Sequence, residues 1–514
     1  MRLTLLLRDF VSARYDAWNG RCHARLRTGH DRCVTSDEHG VVFPVGEDGR
    51  RSTAAVGRGV LCDALHPVDL VGARAVEQET SWRSGYLAHF RRALEAGLGS
   101  RHDALRIAHA GLRSLHTRMR VVCADGRERP LRRWTRAQPP LSSAVIVGSG
   151  QPETELSLPY RGQRLRGAEL TRRVEDWVRD GVAEPTLAEA VDAVLRNPDW
   201  LRLEGHTVAV LGAGAEMGPL PALLRWGVRV AAVDLPSPGV WARVSRLAHE
   251  GAGTVLSPGS TSGRPGVDLL TDVPSVASWL ADLDGTLVLG NYVYADGATN
   301  VRVAMAVDEL THRVREARDD VALAFLATPT DVFAVPGDAV RHSARAYAER
   351  SMTAKLLGRP LRTLSAGRLL RRSYLPDADP GVNDSLIPQQ GPNYALAKRL
   401  QRWRATVERD AGRTVSLNVA PPTRTRSVVR NRALAAAYGG AHRFGVEVFE
   451  PATANVLMAA LLVHDLHTGG GPSHEHPWQD EAYAAVHGGL WRTAYAPRSA
   501  LGLAALLGYG ATPG

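Results

Sequence analysis

The chain has 514 residues, of which 44% are hydrophobic and 23% charged, and its formal net charge is +10. This length predicts two or three domains with room for a sizeable core. No apolar run is long enough for a membrane helix. The arginines are scattered among acidic residues without an aromatic-basic module, so neither a membrane nor a nucleic acid is expected as a partner.

Residues 1–140 form an N-terminal region to which the sequence assigns no function. The segment M-R-L-T-L-L-L-R-D-F has an apolar core too short for a signal peptide, so we expect a cytoplasmic protein. Cys22, His23, His30 and Cys33 do not follow the spacing of a zinc site, and no metal is predicted.

Helical periodicity appears twice before residue 205. Apolar residues three and four apart predict a helical stretch from Trp82 to Met119. Residues 141–204 are predicted to be a helical connecting segment, opened by the short apolar run A-V-I-V, which is a candidate strand. Within it, one helix is expected to end at Gly181 and a second to begin near Thr186.

From His206 onward, strands alternate with helices. The apolar runs T-V-A-V-L, V-R-V-A-A-V-D-L, L-V-L-G-N and V-A-L-A-F-L-A-T are separated by helical segments. This alternation predicts an α/β fold with a Rossmann-like doubly wound parallel sheet and an N-terminal extension of mixed or mainly helical character. The carboxyl ends of such strands share one edge, where ligands bind.

A glycine-rich turn, G-A-G-A-E-M-G, follows the first of these strands. Glycines permit a tight turn and close approach of a diphosphate, and a helix N-terminus offers free N–H groups. Asp234 ends the next strand, where a carboxylate accepts hydrogen bonds from ribose hydroxyls and repels a 2′-phosphate. The pattern predicts NAD, with NADP possible. An S-adenosylmethionine-dependent methyltransferase has a similar turn, but usually an acid where this chain has Val210 or Leu211.

Tyr394 precedes Lys398 by four residues, and Lys398 is one of two lysines among 63 basic residues. Residues four apart share a helix face. A nearby ammonium favours the phenolate and lowers the pKa of a tyrosine, which then exchanges protons near neutral pH. Arginine does not replace lysine here, because lysine is a compact charge with an adjustable pKa.

The glycine turn and the tyrosine–lysine pair resemble the short-chain dehydrogenase/reductase family over about residues 205–465. The resemblance implies a dinucleotide-binding catalytic domain that transfers hydride to or from a carbonyl, alcohol or imine of a small molecule. Tyr394 would be the acid/base, and Lys398 would lower its pKa and hold the nicotinamide ribose. Thr328 or Thr330 would orient the carbonyl and Asn300 would support a proton relay, with Ser385 as a second hydroxyl candidate.

The resemblance also implies a cofactor site. Segment 267–272 resembles the acidic end of the third strand, so Asp268 would approach the adenine. The implied cofactor-binding residues are Gly212, Gly214, Glu216, Met217, Gly218, Asp234, Asp268, Asn291, Lys398, Pro421 and Thr423.

The sequence departs from the family pattern in three places. Glu216 replaces a family glycine, no serine follows the fifth strand, and an insertion at about 331–390 precedes Tyr394. The insertion is predicted to be a lid or an oligomer contact. These departures keep open a degenerate, non-catalytic nucleotide-binding protein as an alternative.

Residues 466–514 are predicted to form a C-terminal loop and tail. A histidine-rich stretch, residues 464–476, leads into this tail. Its spacing is not that of a standard metal site, and a loop covering the substrate is predicted instead; the histidines are His464, His467, His474 and His476. The expected partners are a small-molecule substrate and further copies of the chain in a homo-oligomer.

Overall fold

The computed structural model describes residues 39–135, 140–259 and 265–509. Their strands are β1 (Gly40–Val42), β2 (Arg120–Val122), β3 (Glu128–Pro130), β4 (Ser142–Val147), β5 (Ser157–Tyr160), β6 (Gln163–Arg166), β7 (His206–Leu211), β8 (Arg229–Val233), β9 (Thr254–Gly259), β10 (Thr286–Asn291), β11 (Val321–Ala327), β12 (Val332–Val335), β13 (Gly381–Asp384) and β14 (Val415–Val419).

The helices of the first half are α1 (Thr53–Leu65), α2 (Leu70–Glu77), α3 (Trp82–Gly97), α4 (Arg101–Arg118), α5 (Gly167–Arg179), α6 (Thr186–Arg196), α7 (Leu220–Arg225) and α8 (Pro238–Glu250). Those of the second half are α9 (Val273–Ala281), α10 (Ala298–Ala317), α11 (Gly337–Ala348), α12 (Met352–Leu364), α13 (Gly391–Asp410), α14 (Arg426–Arg430), α15 (Arg432–Gly440), α16 (Pro451–His467), α17 (Pro477–Ala482) and α18 (Pro497–Gly508).

The central sheet has the order β14-β11-β10-β7-β8-β9-β4. Its first six strands are parallel and β4 runs antiparallel beside β9. In this register Val208 on β7 lies between Val230 on β8 and Val288 on β10. Because the strand order reverses between β7 and β10, the sheet is doubly wound, and the predicted Rossmann-like α/β fold is confirmed.

Successive residues of each strand point into two different apolar layers. Ala209 and Leu211 on β7 pack into one layer, and Val208 and Val210 into the other. A strand covered on both faces needs apolar residues at every position, which explains the uninterrupted runs in the sequence.

One layer contains α9, α10 and α13 together with the N-terminal helices α1–α4 and the small sheet β1-β2-β3. The core of this layer runs without interruption from Phe43 and Trp82 in the N-terminal region to Met305 on α10 and Trp403 on α13. The other layer contains α5–α8 and α16. The described part of the N-terminal extension, residues 39–135, is therefore mainly helical, and it is packed directly onto the helix that carries Tyr394 and Lys398.

The structure corrects several expected boundaries. The helical stretch from Trp82 to Met119 is two helices, because the Ser100 side chain accepts a hydrogen bond from the Asp103 amide at 3.1 Å and starts α4 anew. The run A-V-I-V lies in the strand β4, as expected, but the connecting segment also contains the hairpin β5–β6, which the sequence did not indicate. The third parallel strand is β9, and residues 267–272 form the turn before α9.

The expected helix end at Gly181 is confirmed. Gly181 follows α5 with φ +73°, the left-handed conformation in which glycine commonly ends helices. The predicted insertion carries the antiparallel strand pair β12–β13 and, between these strands, helices α11 and α12. Its role as a lid or an oligomer contact stays a prediction.

The residues named as possible metal ligands near the N-terminus, Cys22, His23, His30 and Cys33, lie outside the described residues. Within the described ranges, no helix is long and apolar enough to cross a membrane.

Candidate functional site

The residues singled out in the sequence collect at the carboxyl edge of the parallel sheet. Gly212 follows β7, Asp234 follows β8, Asn291 ends β10 and Thr328 follows β11. Since these strands are parallel neighbours, their carboxyl ends lie along one edge. The fold therefore places the glycine turn and the polar residues beside the strand-order reversal, where doubly wound proteins bind ligands.

The glycine turn is fixed by the end of β8. Gly212 has φ +84°, and a Cβ there would lie 3.0 Å from the Tyr292 carbonyl oxygen. The amide of Gly212 donates to the Val233 carbonyl at 2.8 Å. The amide of Gly214 donates to Asp234 Oδ2 at 2.7 Å, and the Leu235 amide donates to Asp234 Oδ1 at 2.8 Å. Asp234 thus holds the turn closed, and each of its oxygens keeps further accepting capacity.

The second half of the turn is altered. Glu216 accepts hydrogen bonds from the amide of Arg426 at 2.8 Å and from its Nε at 2.6 Å, which joins the turn to α14. Among the described residues, the amides of Glu216 and Met217 have no hydrogen-bond acceptor. The helix that follows, α7, has only six residues, shorter than the helix expected after such a turn.

The other proposed cofactor-binding residues lie near this edge but use their polar groups locally. Asp268 Oδ1 accepts a hydrogen bond from the Leu270 amide at 2.9 Å. The neighbouring Val267 amide donates to the Asp234 carbonyl at 2.9 Å, which keeps Asp268 close to Asp234. Thr423 is buried, and its hydroxyl donates to the Pro421 carbonyl at 2.9 Å.

Lys398 stands at the centre of a polar chain. It lies on α13, and its Nζ donates to the Leu326 carbonyl and to Gln401 Oε1, both at 3.1 Å. Gln401 Nε2 donates in turn to Asn291 Oδ1 at 3.2 Å. Lys398, Gln401 and Asn291 are therefore joined from α13 to the end of β10. Sequence reasoning missed Gln401, although it stands three residues after Lys398 and so shares its helix face.

Tyr394 lies one turn before Lys398 and is half-buried. Its ring packs edge-to-face on Tyr294, with 6.2 Å between the ring centroids. Burial raises the pKa of Tyr394, a hydrogen bond with Thr328 opposes this, and the charge of Asp331 adds to the rise. The net direction is opposite to the lowered pKa expected from the sequence, so without ligand the phenol stays protonated at neutral pH.

Burial has the complementary effect on the lysine. It lowers the pKa of Lys398 to about 8, and the nearby carboxylate of Asp331 opposes that change. Burial therefore disfavours the charged form of both residues.

The two threonines after β11 are joined. Thr328 Oγ1 and Thr330 Oγ1 are 2.9 Å apart, and Gln390 Nε2 donates to Thr330 Oγ1 at 2.6 Å. Thr328 is the one that contacts the Tyr394 hydroxyl.

Asn300 and Ser385 both have local hydrogen-bond partners, and the roles that the family resemblance implies for them stay predictions. Asn300 is buried, and its Oδ1 accepts a hydrogen bond from the Ala295 amide at 3.1 Å, which closes the loop after β10. Ser385 is also buried: its hydroxyl donates to Asn383 Oδ1 and its amide to the Asp331 carbonyl at 3.1 Å. Ser385 is thus committed to the hairpin of the insertion.

Buried ion pairs hold α13 in place. Asp331, just after the joined threonines, pairs with Arg399 at 3.2 Å and with Arg402 at 2.7 Å. Arg402 makes two further bonds, each 2.6 Å, to Glu481 on α17. The charges compensate one another in the interior, and removing one residue would leave the others buried without a partner of opposite charge.

The four C-terminal histidines each have a separate partner. His464 contacts Asp465 at 3.0 Å and His474 contacts Asp480 at 2.8 Å. His467 and His476 bond the carbonyls of Trp200 and Gly97 at 3.2 and 3.0 Å. The predicted substrate-covering role of this loop stays a prediction.

No family model matches the sequence. Among curated proteins, the N-acetyl-gamma-glutamyl-phosphate reductase of Halorhodospira halophila (strain DSM 244 / SL1) is 36% identical over 112 residues, which are 20% of this chain and 33% of that protein. The chain thus spans about a third of the length of the curated relative that it matches.

Several solved structures are similar over half of the chain. A-type ketoreductases from a modular polyketide synthase have 17% identity and a TM-score of 0.30, covering 51% of this chain and 47% of theirs. An oxidoreductase of the short-chain dehydrogenase/reductase family from Burkholderia thailandensis has 16% identity and a TM-score of 0.31, covering 56% and 92%. The 3-alpha-hydroxysteroid dehydrogenase from Pseudomonas sp. B-0831, complexed with NADH, has 20% identity and a TM-score of 0.25, covering 50% and 89%. Similarity at this level identifies neither a substrate nor a cofactor for this chain.

Proposed function

We propose that this protein is an NAD(P)-dependent oxidoreductase that reduces a carbonyl or imine of a small molecule. The observation that carries the proposal is that Tyr394 and Lys398 lie one turn apart on α13, at the same sheet edge as the glycine turn and Asp234. The names of the similar proteins, all oxidoreductases, are in keeping with it. The substrate class and the cofactor preference remain part of the proposal.

The residues at the glycine turn fit a dinucleotide. Gly212 and Gly214 allow the tight turn, because a Cβ would press on the Tyr292 carbonyl at the first and on Val240 at the second. The amides of Glu216 and Met217 are available as donors to a diphosphate. Asp234 retains lone pairs for ribose hydroxyls and its charge disfavours a 2′-phosphate, so NAD is the preferred form. Bound NAD(P)H would supply the hydride. The pairing of Glu216 with Arg426 offsets a carboxylate that would otherwise repel the diphosphate.

The protonated phenol can serve as the acid in the reduction. Because burial raises the pKa of Tyr394, its hydroxyl carries a proton that it can donate to the substrate oxygen or nitrogen as negative charge develops there. The hydroxyl of Thr328 contacts the phenol, and Lys398 lies one turn further along α13. Both would stabilise the phenolate left behind. Gln401 holds the ammonium, and Asn291 holds Gln401, so the chain of hydrogen bonds fixes the position of Lys398.

The test separates cofactor binding from turnover. We expect NADH to raise the unfolding temperature of the wild-type protein more than NADPH does, because a ligand that binds only the folded state stabilises it. Tyr394→Phe is expected to keep that shift and to lower the oxidation of NADH by carbonyl substrates about 10²–10⁴-fold, the usual contribution of a general acid.

Tyr294→Phe is the matched control, because it removes a hydroxyl from the same cleft that donates to Asp296 at 2.8 Å, while the ring stays against Tyr394. This variant should retain most of the turnover. A shift with S-adenosylmethionine alone would instead assign the site to methyl transfer. Binding of NADH without turnover on any substrate would support the alternative, a degenerate nucleotide-binding protein without catalytic activity.

A further inference from the structure

The central sheet ends in a strand with an open outer edge. β4 pairs with β9 on one side only, and within the described residues no strand pairs with its other side. Five of its six residues are exposed, including Val145 at 57% and Val147 at 67% of the full side-chain surface. An exposed, apolar edge strand of this kind is a template for pairing with another chain.

The hydrogen-bonding pattern identifies which backbone groups face outward. Ser143 lies opposite Pro258, which has no N–H to give, and the Gly148 amide donates to the Gly253 carbonyl at 2.9 Å in the continuing register. In an antiparallel ladder, hydrogen-bonded and non-hydrogen-bonded pairs alternate. The even-numbered residues of β4 therefore bond β9, and Ser143, Val145 and Val147 direct both N–H and C=O away from it.

We propose that this edge pairs with the same edge of a second copy of the chain, across a two-fold axis at Val145. Antiparallel pairing about that axis sets position 145 opposite itself and position 143 opposite position 147 of the other copy. All three outward donors and all three outward acceptors are then satisfied, and the two seven-stranded sheets become one. An interface made of the same patch on both subunits must be self-complementary in this way.

Charge favours this occupant. The chain carries a net charge of +10, so two copies repel each other over most of their surfaces. Residues 140–152, P-L-S-S-A-V-I-V-G-S-G-Q-P, contain no charged side chain. Natural edge strands commonly carry a lysine, a proline or a bulge that prevents pairing. β4 has none of these between its first and last residues, so it can pair with its own copy without charge repulsion or a blocked hydrogen bond along the strand.

One strand pair buries less area than a permanent dimer needs. We therefore expect a reversible monomer–dimer equilibrium of the full-length protein, measured by analytical ultracentrifugation from low to high micromolar concentration. The mass should rise from 55.4 kDa toward twice that value. A single species of monomer mass over the whole range would overturn the proposal.

Val145→Pro removes an outward N–H without touching a bond to β9, so it should abolish the dimer and leave the monomer folded. Val147→Lys adds a charge at the same edge and should also abolish the dimer. It tests the interface even if the proline variant does not fold. Val71→Lys is the matched control, because Val71 is 68% exposed on α2, away from β4, and its replacement should leave the dimer intact. A dimer that survives both edge variants contradicts the proposed interface.

Hydrogen exchange on the full chain distinguishes a second copy from a segment of the same chain. The amides of Ser143, Val145 and Val147 should become protected as the concentration rises. Protection that is already complete in the monomer would assign the edge to another part of the same chain, such as residues 1–38, and would overturn the proposal.

Discussion

Tyr394 and Lys398 have pKa values that burial moves in opposite directions. The pKa of Tyr394 is raised and that of Lys398 is lowered to about 8, because burial disfavours the charged form of each. The sequence predicted that the two residues share a helix face, but it could not give their depth. Spacing shows which groups are neighbours, whereas the sign of each shift depends on how much water the fold removes.

The lowered pKa of Lys398 predicts a pH dependence. The protonated lysine is the form that stabilises the phenolate, so kcat/KM for carbonyl reduction should fall as pH rises through about 8. Lys398→Arg keeps its charge at every accessible pH. Its rate should be lower, since guanidinium does not fit the bonds to Leu326 and Gln401, but the fall near pH 8 should disappear. An unchanged fall in this variant would assign the titration to another group.

Gly212 is confined both by its conformation and by its neighbour. Its φ of +84° disfavours any Cβ, and that Cβ would also press on the Tyr292 carbonyl at 3.0 Å. Gly49 is a control with φ +74° and open space around it. In urea unfolding, Gly49→Ala should cost about 1 kcal/mol, and Gly212→Ala roughly 1–2 kcal/mol more. Equal losses in the free energy of unfolding for the two variants would mean that the backbone at Tyr292 moves aside to accommodate the Cβ.

At the scale of elements, the parallel strands were predictable and the edges of the sheet were not. β7, β8, β10 and β11 are buried on both faces and read as continuous apolar runs. β9, T-V-L-S-P-G, ends in residues typical of turns, and it is a strand because β8 and β4 bond it on both sides. Its long-range partners decide its structure, so the third strand was assigned to residues 267–272 instead.

The contact of α4 with α10 and α13 depends on a charged histidine. His116 Nε2 lies 2.7 Å from Asp308, which Arg404 of α13 also binds through two hydrogen bonds. Burial lowers the pKa of His116, but hydrogen bonds with Asp308 and Glu309 outweigh this and raise it from 6.5 to about 9. The folded state therefore binds the proton more tightly than the unfolded state does.

This raised pKa predicts how stability changes with pH. The contribution of His116 is fully present below pH 6.5 and is lost as pH rises through about 9. His116→Gln should lower the free energy of unfolding by about 1–3 kcal/mol at pH 6 and by much less at pH 10. Denaturant unfolding at both pH values measures the difference. A variant whose deficit is the same at both would show that the histidine acts through packing alone.

At the scale of the whole molecule, the N-terminal region and the sheet are one packed body. Gly111 on α4 lies against the indole of Trp403 on α13, and a Cβ at Gly111 would overlap that ring. The sequence predicts an N-terminal extension of mixed or mainly helical character, but it does not indicate what that extension packs against. Contacts between residues almost 300 positions apart leave no mark in local periodicity, so the joint core was not foreseen.

Gly111→Ala tests this coupling. Alanine is the better helix former by about 1 kcal/mol, so by propensity alone the change should stabilise α4. Overlap with Trp403 should reverse the sign and destabilise the protein by about 1–3 kcal/mol. Because Trp403 follows Lys398 on α13, the variant should also lower the turnover attributed to Tyr394 and Lys398, and unfolding should remain a single transition.

Gly358→Ala is the control: Gly358 lies inside α12, where a Cβ would be only in ordinary contact with Leu370 at 3.6 Å. That change should be stabilising or neutral and leave turnover unchanged. If Gly111→Ala instead unfolded the N-terminal helices in a separate transition with turnover intact, the N-terminal region would be an independent domain.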